Sequence, residues 1–424
     1  ASAARAKPSP ELPPGQVPRR RIWPLLLWPG VVVFGLCGLV ALGVALDFRG
    51  VQSVLWPPTP MEAVTTAPTM EPVGTLDPAA SLATRAVLEA AWDASAHNDH
   101  TADSFTRWDA EGLIPAGCAK CHSHAGFADY LGLNDTPAGT VEYDAPVGSY
   151  LECSTCHNDA TETLTQVAFP SGLVVNVSGG SAVCIACHQG RGSTPTLDEY
   201  LTVTVGNAPP DTVSDLLGFQ NPHYAAAGAA LYGTNAKGAY EYTGRAYAGT
   251  LVHDEAFDTC VECHDPHGLE INLVHCQECH DGDDPQLYRT GELDYDADGN
   301  LTEGVAGDIG TMQVNLLNAI TLYSVNRGGQ MIVYAPDVFP YFFSDPNRNG
   351  VADPEETADP ASNAYTAWTP RLLRAAYNYR WSVTDPGGYA HNNRYVLQVL
   401  YDSLFDLAEA TGTTGSYGPI IRPE

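Results

Sequence analysis

The sequence predicts a mostly irregular and α-helical fold that is organised around repeated cysteine and histidine motifs. Five copies of Cys-x-x-Cys-His lie between residues 118 and 280, and they use ten of the 11 cysteines. The chain also contains 40 glycines and 32 prolines, and only 44% of its 424 residues are hydrophobic. Because side chains offer little apolar core for a chain so rich in loops, we expect groups bound at the motifs to supply much of the buried surface.

Cys-x-x-Cys-His is the attachment signature of c-type haem, in which both thiols become thioethers and the histidine ligates the iron. Zinc-binding or redox Cys-x-x-Cys pairs are the alternative. They do not explain why a histidine follows all five pairs when only 13 of 424 residues are histidine. The sequence therefore predicts five covalently attached haem c groups. The attachment cysteines are Cys118, Cys121, Cys153, Cys156, Cys184, Cys187, Cys260, Cys263, Cys276 and Cys279, and the proximal ligands are His122, His157, His188, His264 and His280.

The amino-terminal part of the chain suggests a membrane anchor. Residues 1–21 are polar, end in three arginines and are predicted to be a cytoplasmic tail. Residues 22–46 contain no charged side chain, and a bilayer-spanning helix needs roughly 20 such residues. The arginines orient this predicted transmembrane helix so that the rest of the chain lies on the periplasmic or extracellular side of the cytoplasmic membrane. A cleaved signal peptide is the alternative, although its apolar run is usually shorter.

Three further regions follow the predicted anchor. Residues 47–80 are rich in proline and are predicted to form a semi-rigid tether. Residues 81–290 hold all the motifs and form the predicted pentahaem cytochrome domain. Residues 291–424 lack cysteine and contain a single histidine, and we expect them to form a calcium-loop and helical region packed on the haem domain.

Periodicity predicts a few regular elements within these regions. Short strands are predicted at Leu173–Val177 and Leu201–Val205, and a short helix at Pro222–Tyr232. Thr369-Pro370 is a strong helix start, and a second helix is predicted from about Asn392 to Ala410. Together the last two form a predicted C-terminal helical hairpin.

Eight histidines lie outside the motifs, enough to give every iron a second axial ligand. They are His97, His100, His124, His223, His253, His267, His275 and His391. Two histidines on one iron fill both axial positions, whereas an iron with a single protein ligand stays open for chemistry.

Several segments are similar to those of a known family. They are CAKCHSHAGFADYLG, ECSTCHNDA, CHQGR, NPHYAAAGAALYGT, FDTCVECHDPHG, TPRLLRAAYNYRW and DPGGYAHNNRYVLQVLYDS. The sequence resembles the membrane-associated multihaem (pentahaem) c-type cytochromes, which implies a multihaem cytochrome c fold. The resemblance also implies that the distal ligands are His97, His223, His253, His267 and His391, with His100, His124 and His275 as second choices.

Residues 345–356 fit the twelve-residue calcium-loop pattern. The predicted donors are Asp345, Asn347, Asn349, the carbonyl of Val351, Asp353 and Glu356. A solvated acidic turn is the alternative. Residues 294–299 begin in the same way, but Val305 occupies position 12, where the pattern requires an acid.

Charge constrains the partners. The formal net charge is −30, and the residues beyond 46 hold 15 basic and 49 acidic side chains. Such a surface disfavours nucleic acid and favours basic redox proteins. We expect electron transfer through a haem array between a membrane respiratory complex and periplasmic or extracellular partners. A reductase of nitrogen or sulfur oxyanions with one open haem, or a subunit of an extracellular cytochrome filament, are the alternatives.

Overall fold

Short helices joined by long loops make up most of the backbone. The computed structural model describes residues 78–177, 180–254 and 257–424. The α-helices of this part are α1 (Pro78–Asp93), α2 (Asp103–Thr106), α3 (Ala116–His122), α4 (His124–Tyr130), α5 (Cys153–Cys156), α6 (Asp159–Glu162), α7 (Ser181–Cys187), α8 (Thr194–Val205), α9 (Ala227–Tyr232), α10 (Cys260–Cys263), α11 (Leu273–Gln277), α12 (Gly304–Tyr323), α13 (Pro354–Thr357), α14 (Pro360–Asn363), α15 (Pro370–Val383) and α16 (Gly388–Thr411).

The strands of the described part form three separate antiparallel pairs. They are β1 (Leu113–Ile114) with β2 (Ala145–Pro146), β3 (Gln166–Ala168) with β4 (Val174–Asn176), and β5 (Ile332–Tyr334) with β6 (Phe342–Ser344). Strand β4 confirms the strand predicted at Leu173–Val177. The strand predicted at Leu201–Val205 is wrong, because these residues end helix α8. Ser193 caps that helix, and Leu197 and Leu201, four residues apart, bury one of its faces.

Each haem motif forms a single helical turn. The N–H of the motif histidine donates to the carbonyl of the first motif cysteine over 2.9 Å in four motifs: His157 to Cys153, His188 to Cys184, His264 to Cys260 and His280 to Cys276. The remaining motif lies wholly within α3. Residues three and four positions apart share one face of a helix, so each turn presents two thiols and one imidazole together.

Helices α12, α15 and α16 pack together in the C-terminal part of the chain. Thr369 caps α15 by accepting a hydrogen bond from the N–H of Leu372 over 3.1 Å, and Pro370 occupies the first turn. The predicted C-terminal helical hairpin is therefore present, whereas helix α12 was not predicted from the sequence. The hydrophobic core includes residues from Val167 to Ile420, so the haem-motif region and the C-terminal helices share it.

Helix α16 is interrupted at Asn392, whose φ is −170° and ψ is 78°. The buried Asn392 amide donates to the carbonyls of Gly249 (2.9 Å) and Leu231 (3.3 Å). Its side-chain oxygen accepts from the N–H of Tyr395 over 3.1 Å. Asn392 therefore caps the long second part of α16 and fixes the short first part, which carries His391.

The predicted fold class requires a correction. None of the helices in the described part of the chain combines the length and apolar character needed to cross a bilayer. The two longest, α12 and α16, carry polar or charged side chains along their length. Within the described residues, this finding contradicts the predicted membrane-spanning helix and the single-pass location at the cytoplasmic membrane. The segment on which they were based, residues 22–46, lies outside the described residues, as do the predicted cytoplasmic tail and most of the tether.

Candidate haem-binding sites

Every motif histidine faces one histidine from outside the motifs. The ring-centre separations are 5.8 Å for His122 and His223, 6.2 Å for His157 and His267, 6.1 Å for His188 and His97, 6.4 Å for His264 and His391, and 6.0 Å for His280 and His253. The five facing histidines are the five that the resemblance selected as distal ligands. That they ligate iron stays a prediction.

The separations match the space that one iron requires. An imidazole nitrogen lies about 2 Å from a first-row metal ion, so two rings on opposite sides of one iron have centres roughly 6 Å apart. The ten motif cysteines are all free thiols, as attachment to a porphyrin requires. The residues present therefore fit five haem groups with two histidines each.

The second ring nitrogen of several paired histidines is held by the protein. The Nδ1 atoms of His122 and His188 lie 2.9 Å from the carbonyl oxygen of Ser104 and 3.3 Å from that of Ala225. The Nδ1 atom of His391 lies 2.9 Å from the Asp385 carboxylate. A proton on Nδ1 satisfies these contacts and leaves Nε2 to face a metal, which is how most ligating histidines are oriented.

Burial favours the neutral rings that metal ligation requires. It lowers the pKa of His97, His122, His188 and His264, and it lowers the pKa of His223 to about 4, with the charges of His122 and Arg191 contributing. For His391, burial opposes the charged form, but the hydrogen bond and charge of Asp385 outweigh it and raise the pKa.

The second-choice histidines have other partners in the structure. His124 contacts Thr155 Oγ1 through Nδ1 (2.9 Å) and Glu152 Oε1 through Nε2 (3.1 Å). The Nδ1 atom of His275 donates to the carbonyl of Glu262 over 2.7 Å. His100 stacks on Tyr150 with ring centres 3.8 Å apart. Each of these three histidines therefore has a partner within the protein, and its position is explained without iron ligation.

The spatial order of the motifs differs from their order in the sequence. The thiol of Cys121, in the first motif, lies within hydrogen-bonding range of Cys187 in the third. The other cysteine of the third motif, Cys184, has the same relationship with Cys260 of the fourth. The third motif therefore lies between the first and the fourth.

The second and fifth motifs lie beside this central group of three motifs. The thiol of Cys156, in the second motif, is close enough to influence both cysteines of the third motif electrostatically. The fifth motif adjoins the fourth, where Cys276 influences Cys263 and the N–H of Asn272 donates to the carbonyl of Cys263 over 2.8 Å. Only 11 residues separate His264 from Cys276, so the spacing in the sequence indicates this last neighbour relationship but not the others.

The predicted calcium loop is compact and partly buried. The carboxylate of Asp345 accepts hydrogen bonds from the N–H groups of Arg348 (2.6 Å) and Gly350 (2.8 Å), and Asp345 is 1% exposed. Glu356 is 5% exposed, and its Oε1 has no hydrogen-bond partner in the described part of the chain. Burial, together with the charge of Asp345, raises the pKa of Glu356.

The remaining predicted donors lie in the same loop. The side-chain oxygens of Asn347 and Asn349 accept from the N–H groups two residues later, and both amides donate to Asp353 Oδ2 over 2.8 Å. Amide oxygens and carboxylates are ligands that Ca²⁺ prefers. The loop therefore contains the predicted donor residues, and within the described part of the chain the Oε1 atom of Glu356 is left unpaired.

Comparison with known proteins finds curated relatives. The C-type polyheme cytochrome OmcB of Geobacter sulfurreducens, from strains DL-1 / KN400 and PCA, is 28% identical in an alignment that covers 72% of this chain and 46% of OmcB. The C-type polyheme cytochrome OmcC of strain PCA is 27% identical, covering 72% of this chain and 44% of OmcC. This chain is related to multihaem c-type cytochromes.

The chain spans a little under half the length of the curated relatives that it matches. The relationship supports covalently bound haem c and electron transfer through haems. No protein-family model matches the chain, and no solved structure matches it.

Proposed function

We propose that this chain is a pentahaem electron-transfer cytochrome in which every iron has two histidine ligands. The observation that carries the proposal is the set of five facing histidine pairs, each joining a motif histidine to one from elsewhere in the chain. The cysteines of each motif would hold the porphyrin through thioethers. Haems bound in this way supply centres that accept and release single electrons.

The facing histidines favour electron transfer over catalysis. A haem enzyme that binds its substrate at iron needs one axial position without a protein ligand. Every motif histidine in this chain faces a second histidine, so each motif has a candidate for the second axial position. The oxyanion reductase is therefore the weaker alternative.

The protein's own contribution is to keep the motifs adjacent and to tune them. The fold places Cys121 beside Cys187 and Cys184 beside Cys260, so the third motif lies next to both the first and the fourth. The carbonyls of Ser104 and Ala225 and the carboxylate of Asp385 orient three of the imidazoles. Differences among these partners give the sites different axial-ligand basicity, one of the means by which a protein sets a haem potential.

The partners that we propose are redox proteins with basic docking surfaces. The formal net charge of −30 would attract such a surface and speed the encounter at low ionic strength. The attraction would weaken as salt rises, because exposed charges are screened beyond roughly 10 Å at 0.1 M ionic strength.

We also propose that the loop from Asp345 to Glu356 binds Ca²⁺. Buried Asp345, the unpaired Oε1 of Glu356 and the two asparagine amides support this assignment. A bound cation would fix strand β6, which ends at Ser344, against helix α13, which contains Glu356.

The mass and the spin state of the mature protein test the haem proposal. Intact mass should exceed that of the polypeptide by five haem groups, and spectra of the oxidised protein should show low-spin iron throughout. A chain that matures fully with four haems would contradict the count. One stoichiometric high-spin haem that binds cyanide would contradict ligation by two histidines at that site.

A further inference from the structure

A second cluster of carboxylates surrounds the start of helix α12. Carboxylate oxygens of Asp294, Asp296 and Asp308 all lie within 4.8 Å of one another. Asp296, Asp298 and Glu303 satisfy the same criterion. Four of these residues come from the segment before α12, whereas Asp308 belongs to the helix itself.

The cluster contains buried carboxylate oxygens that the described part of the chain leaves without a hydrogen-bond partner. Asp308 is fully buried and its Oδ1 is unpartnered, and Asp296 is 5% exposed with Oδ2 unpartnered. Glu303 Oε1 is buried and unpartnered as well. Carboxylates buried this close together are unfavourable unless protons or added positive charge compensate them, and a cation among the unpartnered oxygens would supply that charge.

One arginine supplies only part of that charge. The Arg289 guanidinium donates to Asp308 Oδ2 over 2.7 Å, and its side chain is 6% exposed. The same group also donates to the carbonyls of Leu293 and Gly304. Arg289 thus engages the other oxygen of Asp308 and leaves the Oδ1 atom of Asp308 and the Oδ2 atom of Asp296 unpaired.

The loop that carries the cluster has the same local backbone as the calcium loop at residues 345–356. Asp294 accepts from the N–H groups of Ala297 (2.7 Å) and Gly299 (2.8 Å), at the positions from which Asp345 accepts in its own loop. Ala297 and Arg348, which occupy equivalent positions, have φ values of 61° and 60°. The shared backbone shows only that the two loops have the same local shape. The buried, unpartnered carboxylate oxygens are the separate observation that points to a bound cation.

We propose that the cluster binds a divalent cation, of which Ca²⁺ fits the all-oxygen donor set best. Asp294, Asp296 and Asp298 occupy positions 1, 3 and 5 of the loop pattern. Val305 occupies position 12 and cannot contribute a carboxylate, so sequence pattern alone argued against this site. The structure supplies the missing acid from Asp308, within α12, and from Glu303.

The site would anchor the segment that follows the last haem motif. Tyr288 stacks on His280 with ring centres 4.6 Å apart and planes 9° apart, and Arg289 is the next residue. A cation held by Asp308 and the loop fixes this segment against α12. The inference does not rest on haem ligation, because it depends only on the carboxylates and their burial.

Counting bound calcium in the haem-loaded protein tests the proposal. The protein is stripped with a chelator and dialysed to equilibrium against radioactive Ca²⁺, and the ions bound per chain are measured. Wild type should bind one ion at this cluster in addition to any ion at the loop containing Glu356. Asp296→Asn should lose one bound ion, because it removes a buried charge without changing side-chain volume. Glu292→Gln, which neutralises an exposed acid just before the cluster, is the matched control and should lose none.

A second variant separates the two proposed calcium sites. Glu356→Gln should lose only the ion of its own loop, so the two proposals fail independently. If Asp296→Asn does not yield folded protein, Asp298→Asn changes an exposed ligand at the same site and should weaken the same binding event. The proposal is overturned if wild type and Asp296→Asn, or in its place Asp298→Asn, bind the same number of ions with the same affinity.

Discussion

The Nδ1 atom of His391 lies 2.9 Å from both carboxylate oxygens of Asp385, while the ring of His391 faces the ring of His264 with centres 6.4 Å apart. Asp385 is a buried acceptor that fixes the orientation of the ring. A carboxylate in this position makes the imidazole a stronger donor to a metal. The corresponding contact at His267 is longer, with Nδ1 3.9 Å from the Asp265 carboxylate, so the His391 site leads to the first prediction.

Replacing Asp385 with asparagine should raise the reduction potential of the haem bound at Cys260–His264. The amide keeps the shape but removes the negative charge, so the imidazole donates less electron density and the oxidised iron loses stabilisation. A redox titration of the variant should show one component shifted to higher potential. Asp359→Asn, at an acid elsewhere in the C-terminal part, should leave the titration unchanged. A titration of Asp385→Asn that overlays the wild type would show that the carboxylate does not act on the iron.

Replacing His391 with alanine should convert one haem of the five to high spin. The variant leaves His264 without its facing imidazole, so one iron would lose its sixth ligand. Electron paramagnetic resonance and optical spectra of the oxidised protein measure the change. His124→Ala is the matched control, since both nitrogens of His124 contact protein atoms and its removal should leave the spectra low-spin. Unchanged spectra in His391→Ala would remove this residue from the ligand set.

Replacing Asn392 with alanine should destabilise the protein by about 1–3 kcal/mol. The change removes the cap of the second part of α16 and leaves the carbonyl of Gly249 without its donor. Thermal unfolding followed by circular dichroism measures the loss. The neighbouring Asn393→Ala removes only a hydrogen bond to the carbonyl of Tyr389, so its effect should be smaller. Equal effects of the two variants would refute the capping role.

The protein should lose stability as the pH falls below about 6.5. Folding lowers the pKa of His223 to about 4 from an ordinary value of 6.5, so the unfolded chain binds protons more readily than the folded one in this window. Burial alone makes this contribution fully present above pH 6.5 and lost as the pH falls towards 4. On the proposed ligation, iron also holds the ring neutral, so the loss extends to lower pH. His97, His122, His188 and His264 shift in the same direction. Denaturant unfolding at several pH values measures the effect, and stability that stays constant from pH 7 to pH 4 would contradict it.

The local chemistry was predictable from sequence, whereas the long-range arrangement was not. Each Cys-x-x-Cys-His turn follows from spacing alone, and the Thr369-Pro370 start of α15 from capping. Leu201–Val205 was misassigned because a short apolar run does not distinguish a strand from the end of a helix. Helix α12 was not predicted although it is 20 residues long. For the same reason, Asp308, which lies in this helix, was not predicted as a member of the carboxylate cluster.

The pairing of histidines depends on tertiary structure. His267 lies three residues after the fourth motif, yet its ring faces His157 of the second motif. His97 precedes all the motifs and faces His188 of the third. Proximity in sequence would have paired these residues with other motifs. The resemblance identified the five histidines, and the fold determines which motif each one faces.

The crossing of these pairs has a consequence for backbone cleavage. On the proposed ligation, each histidine pair would close a loop of the polypeptide through iron. These closed loops run from 97 to 188, 122 to 223, 157 to 267, 253 to 280 and 264 to 391. The closed loops overlap, so every peptide bond between residues 97 and 391 lies inside at least one of them. On the proposed ligation, a protease that cuts one exposed loop leaves two fragments still joined through iron. Such a nicked protein would migrate intact under native conditions and separate only once the imidazoles are displaced, so its resistance to damage would depend on ligand exchange at iron as well as on folding free energy.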